Sequence, residues 1–346
     1  MVVLACAVIV SCASTSPEPH SGAAQSWVLT GTRVYITPDS LPIDDGVVAV
    51  EGGKIVAVWP AANVRLRGDM RTSDCSGGVI TAGFQNSHVH FTEGAFADAA
   101  SQPPPNLTHS LESMLTRFGF TTVVDTGSDI ANTSALRRRI EQRDVRGPRI
   151  LTTGVPLYPA AGIPFYIRDL PPALLDLLPQ PANATHAVEV VRENFSRGAN
   201  ATKLFIASPQ TGGTIKRMPA DIARAAAAET HARGGLVMAH PTDVDGVRDA
   251  VAAGVDVLVH TTIDPPKATW DPALIRNMVA GGVSVVPTLK LWNYELAKTK
   301  LPENIRQLAV GDAVEQLRAF AAGGGQVLFG TDVGYMTDYD PTHEYV

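Results

Sequence analysis

The sequence predicts an α/β chain built on a (β/α)8 TIM-type barrel, preceded by a small β-domain resembling a sandwich. Three observations predict it. From Val79 onward, short Val/Ile/Leu runs alternate with longer helix-like segments, the pattern of βα units around a parallel sheet. The short runs number eight, the strand count of a barrel whose active site lies at the carboxyl ends of the strands. Histidines close several of those runs, so the residues able to carry chemistry fall on one rim. No Gly-x-Gly-x-x-Gly turn follows any of the runs, which argues against a doubly wound dinucleotide-binding sheet.

Length agrees with one large domain and a satellite, since 346 residues exceed the ~250 to 300 at which a single core stops growing. Apolar residues at 45% and charged residues at 18% place the chain among globular proteins. With a net charge of -6 and no Lys/Arg run, nothing forms a nucleic-acid footprint. No apolar stretch reaches the ~18 residues of a membrane span. Cys6 and Cys12 lie in the apolar opening, leaving Cys75 alone in the body, so no disulfide framework is expected. Residues 1–26 read as a secretory leader and Ser/Pro linker, and Ile9-Val-Ser-Cys12 is similar to a bacterial lipobox, although no Lys or Arg precedes Arg33. The expectation is an envelope protein on the periplasmic side with Cys12 as a candidate lipid anchor, or otherwise a secreted one.

Residues 27–78 form the small β-domain, with strands at Trp27 to Ile36, Gly46 to Val50, and Lys54 to Trp59 after the Gly52-Gly53 turn. Residues 79–346 form the barrel. Its strands are expected at Val79 to Gln85, Thr121 to Asp125, Arg149 to Thr153, Ala201 to Phe205, Gly235 to Ala239, Val255 to Val259, Val283 to Pro287 and Gln326 to Gly330. Helices are expected between them, at Ser110 to Arg117, Ala131 to Arg143, Ala187 to Arg197, Ala220 to Arg233, Val244 to Ala253, Pro272 to Ala280 and Pro302 to Ala321. Two long connections remain: Val155 to Pro181, and Leu289 to Leu301 with Trp292 and Tyr294. Loops of that length on the catalytic face act as lids or pocket walls.

His88 and His90 close the first strand with spacing that puts both side chains on one face. His240 closes the fifth strand and His260 the sixth; Lys203 lies in the fourth, and Asp332 follows the eighth. Neutral imidazoles are ligands for zinc and its neighbours. A buried lysine or aspartate is costly unless it is paired or metal-bound. His20, His109, His186 and His231 fall in tails or helices and carry no assigned role; His343 follows the eighth strand closely enough to reach the pocket, but a surface position is the expectation.

The set His88-x-His90, Lys203, His240, His260 and Asp332, on strands one, four, five, six and eight, resembles the metal set of the amidohydrolase superfamily, nearest to its imidazolonepropionase-like and prolidase-like groups. Gly78-Val-Ile-Thr-Ala-Gly-Phe, Met238-Ala-His-Pro-Thr-Asp243, Ala252-Ala-Gly-Val-Asp-Val-Leu-Val-His260 and Gly330-Thr-Asp332 extend the likeness over most of the chain. Asn86 and Ala82 depart from the commoner aspartate and proline.

The resemblance implies hydrolysis of an amide-type C–N bond by metal-activated water. It implies two zinc ions bridged by carboxylated Lys203, with His88 and His90 on one metal and His240 and His260 on the other; one metal is the alternative. Asp332 would be general base and then general acid, and His260 would polarise the carbonyl in a one-metal site. Dipeptides, N-acyl amino acids and cyclic amides are the small-molecule substrates it allows. Arg168 is a candidate carboxylate ligand. The rival readings are a non-catalytic envelope-anchored binding protein on this fold, and a metal-dependent hydrolase of another bond such as a lactone. Family members continue past the eighth strand with a helix and return strands, so a chain ending at Val346 is expected to be truncated.

Overall fold

The computed structural model describes residues 26–63, 70–263, 269–342 and 344. The leader, the lipobox-like Cys12 and His343 lie outside the described residues. Two compact units are present, Met1–Phe84 and Gln85–Val346.

The first unit holds one five-stranded sheet: β1 (Trp27–Tyr35), β2 (Ile43–Glu51), β3 (Lys54–Pro60), β4 (Arg71–Asp74) and β5 (Val79–Thr81), in the order β3-β2-β1-β4 with β5 also on β1. The β2–β3 hairpin turns on Gly52 (φ 58°) and Gly53 (φ 76°), left-handed positions that glycine reaches without a Cβ clash. Leu29, Val34, Val48 and Ile80 make its core. Cys75 is buried beside them and disulfide-bonded, which corrects the expectation that it stands alone. Val79–Thr81, expected to open the first strand of the main unit, instead pairs in parallel with Arg33–Tyr35 of β1.

The first strand of the main unit is therefore β6 (Phe84–Val89). It is followed by α1 (Pro104–Met114), β7 (Phe120–Asp125), α2 (Ile130–Glu141), β8 (Arg149–Thr152), α3 (Pro172–Leu175), α4 (Ala184–Ser196), β9 (Ala201–Phe205), β10 (Ala207–Pro209), β11 (Ile215–Arg217), α5 (Ala220–Ala232), β12 (Leu236–His240), α6 (Val244–Ala253), β13 (Val257–Val259), α7 (Pro272–Ala280), β14 (Ser284–Val286), α8 (Leu289–Ala297), α9 (Glu303–Ala322) and β15 (Gln326–Val327). Local chemistry starts these helices. Asp129, Asn183, Asp243 and Asp271 each accept a hydrogen bond from a free first-turn N–H, and Gly254 (φ 83°) ends α6. The stretch expected as a loop after the seventh strand is α8; its apolar Leu289, Trp292 and Leu296 recur at helical spacing and are buried. The β10–β11 hairpin after the fourth strand has no counterpart in the sequence expectations.

The principal strands form two parallel sheets, β15-β14-β13-β12-β9 and β6-β7-β8. Both edges are joined. Ser87 N–H donates to Phe329 O (2.7 Å), Asp332 N–H to His88 O (2.9 Å) and His90 N–H to Val333 O (2.8 Å). On the other side, Leu157 N–H donates to Lys203 O and Phe205 N–H to Leu157 O, each at 2.9 Å. Strands buried on both faces read as unbroken apolar runs, as in Val237-Met-Ala239 and Val257-Leu-Val259. Helices α4 to α7 pack their apolar faces on the larger sheet, through Val191, Ile222, Val247 and Met278 among others.

Candidate metal centre

The carboxyl ends of β6, β12 and β13, the middle of β9 and the turn after β15 deliver the six sequence-predicted residues. Along β6 the two-residue period aims both imidazoles the same way, and His88 Nε2 lies 3.2 Å from His90 Nε2. Asp332 Oδ1 stands 3.3 Å from His88 Nε2 and 3.0 Å from His90 Nε2. His88, His260 and Asp332 bring their ligand atoms within 4.8 Å of one another, all three buried. His240 packs on His260, with ring centroids 4.8 Å apart, and His88 on His260 at 4.9 Å. Lys203 is 2% exposed, and among the described residues its Nζ has a π face, that of Phe205 at 5.6 Å, but no hydrogen bond or ion pair.

Electrostatics favour the neutral form of three of the four imidazoles. Burial, then the Lys203 ammonium and the neighbouring imidazoles, holds His88 well below the usual histidine range. Burial and Lys203 do the same for His240, and burial, His240 and Lys203 for His260. Lys203 itself is pushed down by burial to about 7, against the opposing pull of Asp332. A neutral imidazole presents one ring-nitrogen lone pair to a ligand. His88 Nδ1 and Asp332 Oδ1 are buried without a hydrogen-bond partner. A buried, unsatisfied carboxylate oxygen amid neutral nitrogen donors is the chemistry of a cation site, so these residues fit a divalent metal.

Surrounding bonds hold the cluster in place. His260 Nδ1 lies 2.6 Å from Thr288 Oγ1, and Trp292 Nε1–H donates to Thr261 Oγ1 at 2.8 Å. Asn86, fully buried, donates to Thr331 Oγ1 (2.7 Å) and accepts from the N–H groups of His88 and Thr331 (3.2 Å each), tying the first strand to the turn that carries Asp332. The amide thus joins the two elements where the resemblance led one to expect an aspartate. His260 (φ 84°) and Asp332 (φ 57°) both adopt left-handed backbone, which costs a non-glycine residue ~1–2 kcal/mol.

Sequence reasoning passed over several neighbours. Asp125, ending β7, is fully buried and accepts from the hydroxyls of Ser128, Thr133 and Thr152; its place at a strand end is a signal the sequence offers. Phe205 sits two residues from Lys203 on β9 and stacks between Tyr158 (4.6 Å) and His240 (4.8 Å). Tyr166 and Tyr335 meet edge to face at 5.5 Å, from segments far apart in the chain, and no local pattern announces them. Arg168, the candidate carboxylate ligand, is exposed and donates to Gln210 Oε1 and Ile163 O, a tie between two loops.

No protein-family model matches the chain, and no curated protein matches its sequence. Solved structures do match. A prolidase solved with N-methylphosphonate-L-proline is 25% identical over 89% of this chain and 79% of its own, with a TM-score of 0.70. A Xaa-Pro dipeptidase with methionine bound in its active site is 19% identical over 90% of this chain and 80% of its own, at 0.73. The ochratoxinase of A. niger is 18% identical over 90% and 77%, also at 0.73.

Proposed function

We propose, from the premise that this chain is a hydrolase of carbon–nitrogen bonds in the amidohydrolase superfamily, that it cleaves an amide-type bond at the carboxyl ends of the strands of a closed (β/α)8 barrel. The observation that carries this reading is the set of buried imidazoles converging on Asp332 Oδ1, which has His88 and His90 nitrogens within 3.3 Å and no hydrogen-bond donor. His88 and His90 with Asp332 would hold one metal, His240 and His260 a second, and carboxylated Lys203 would bridge them. Bound there, divalent ions, zinc by ligand type, supply a water acidified from ~15.7 to ~7 and an electrophile for the carbonyl.

Lys203 is suited to the bridge because burial makes its neutral amine accessible near pH 7. The neutral amine is the form that adds carbon dioxide, gaining an N–C bond and losing a proton. Asp332, between the two β6 imidazoles, is placed to accept the nucleophile's proton on Oδ1 and return it to the departing nitrogen. Thr288 fixes the His260 ring through Nδ1, leaving Nε2 for the site. Tyr158, Phe205 and Trp292 wall the cluster with apolar surface, which strengthens each of these interactions by excluding water. Dipeptides, N-acyl amino acids and cyclic amides are the substrates to screen, with lactones as controls for the other bond class.

Elemental analysis of the purified protein and of Lys203→Ala tests the site. The expected result is about two metals per chain, falling to one or none in the variant. One metal unaffected by the substitution would remove the bridge, and none in either protein would overturn the metal reading altogether.

A further inference from the structure

Among the described residues, the buried carboxylate oxygens that find no hydrogen-bond partner belong to Asp332, Glu93 and Glu344, and all three residues lie beyond the carboxyl ends of β6 and β15. Glu93, three residues after His90, keeps Oε1 open while its Oε2 accepts from the Tyr339 hydroxyl. Glu344 is the extreme case: it is 1% exposed and both of its oxygens are open. The charged groups that face it are Lys290, Asp332 and Asp338. Lys290 is the one cation among them, and its ammonium is already engaged by the turn before Glu344, at 2.8 Å from Asp338 Oδ2 and 2.5 Å from Asp340 O. Its backbone N–H, in the first turn of α8, faces Glu344 without closing a hydrogen bond. Burial and then the two aspartates raise the Glu344 pKa to about 8. The empty group is thus mostly protonated at neutral pH, and a cation beside it would draw it into the ionised form.

We infer that Glu344 is the receptor for a positively charged side chain on the amine half of the substrate, its best match being the guanidinium of arginine. The inference rests on the proposed hydrolase reading, in which Asp332 returns its proton to the departing nitrogen; Glu344, within electrostatic range of Asp332, then serves the amine side of the scissile bond. Three physical points favour an organic cation. A buried carboxyl group with no donor opposes folding, and that penalty is already met in the empty protein, so a guest that supplies donors relieves it on binding. Two open oxygens on one carboxylate match the parallel N–H groups of a guanidinium. A metal ion would need more ligand atoms than Glu344 offers: among the described residues, the side chains close enough together to hold one are His88, His260 and Asp332, without Glu344. Glu93 and Asp332 add negative potential on the same rim, which draws a cationic substrate toward it.

The test has two arms. Calorimetry on the metal-loaded protein compares L-arginine with L-citrulline, an uncharged analogue of nearly the same shape; both are the amine products of matched N-acetyl substrates. The expected result is arginine binding about tenfold tighter, with near parity in Glu344→Gln and part of the preference kept in Glu344→Asp, whose carboxylate is one methylene shorter. Titrations of the parent at pH 7 in two buffers of different ionisation enthalpy should show arginine, and not citrulline, releasing a proton as Glu344 ionises. Kinetics on N-acetyl-L-arginine and N-acetyl-L-citrulline form the second arm, with a similar preference in kcat/KM that Glu344→Gln removes mainly through the cationic substrate. Equal affinity for the two amino acids, a preference untouched by Glu344→Gln, or arginine binding without proton release would overturn the receptor. A preference for arginine in binding with no hydrolysis of either substrate would keep the receptor and sink the hydrolase reading, so the two failures are distinguishable.

Discussion

Replacing Lys203 by methionine should make the metal-free protein more stable, although it deletes a residue at the centre of the site. Lowering a lysine from its ordinary 10.5 to about 7 corresponds to about 5 kcal/mol between its charged and neutral forms. At pH 7 the folded chain holds Lys203 about half protonated and the unfolded chain fully so, leaving about 4 kcal/mol opposed to folding. Between pH 7 and 10.5 the unfolded state binds more protons at this position, so stability rises with pH, by about 2 kcal/mol from pH 7 to 9. Methionine has similar length and no charge to desolvate, and its thioether can lie on the Phe205 ring. The assay is urea unfolding with a chelator present, parent against Lys203→Met, at both pH values. Glu344, raised to about 8 by burial, titrates in the same window with the opposite slope, but it does so in both proteins and cancels in the difference. The variant should be the more stable at pH 7, by up to about 4 kcal/mol, with the gap narrowing by about 2 kcal/mol at pH 9. A less stable variant at pH 7, or a gap independent of pH, would refute the reasoning. With metal restored the order should reverse if Lys203 bridges the metals as proposed, because the parent alone would keep that ligand.

Two further substitutions separate the roles within the site. Asp332→Asn should leave metal content close to that of the parent while lowering kcat by ~100-fold or more, since an amide cannot relay the proton; kcat within tenfold of the parent would reassign that role. Thr288→Val removes the oxygen 2.6 Å from His260 Nδ1 and should weaken metal affinity by ~10-fold in a competition titration with a chromophoric chelator, whereas unchanged affinity would mean that packing against Trp292 alone orients the ring.

The six polar residues were legible because each lies in or just after an apolar strand run, Lys203 within β9 and the others at or beyond strand ends, where a period of two leaves few places for a side chain to point. Their convergence follows from parallel strands with a common direction, as the His88, His90 and Asp332 contacts illustrate. The strand boundary at Val79 was not legible. The run Val79-Ile-Thr-Ala-Gly-Phe is continuously apolar, and nothing local shows that its first three residues pair with β1 while the strand carrying the histidines starts at Phe84. Helix α8 was missed for a related reason: its Leu289, Trp292, Leu296 spacing was present, but Thr288 before it is left-handed and provides no side-chain cap. The tyrosine pair joins positions 166 and 335, and only the tertiary fold puts them together.

The left-handed backbone at His260 and Asp332 carries a consequence for descent. Glycine or asparagine would relieve the backbone at either position, so drift under selection for folding alone runs toward those residues. A lineage that had abandoned the site would be expected to show that erosion first at these two codons, ahead of His88 or His240, whose backbones gain nothing by the change. Among diverged copies of this fold the pair would then serve as an early indicator of lost chemistry.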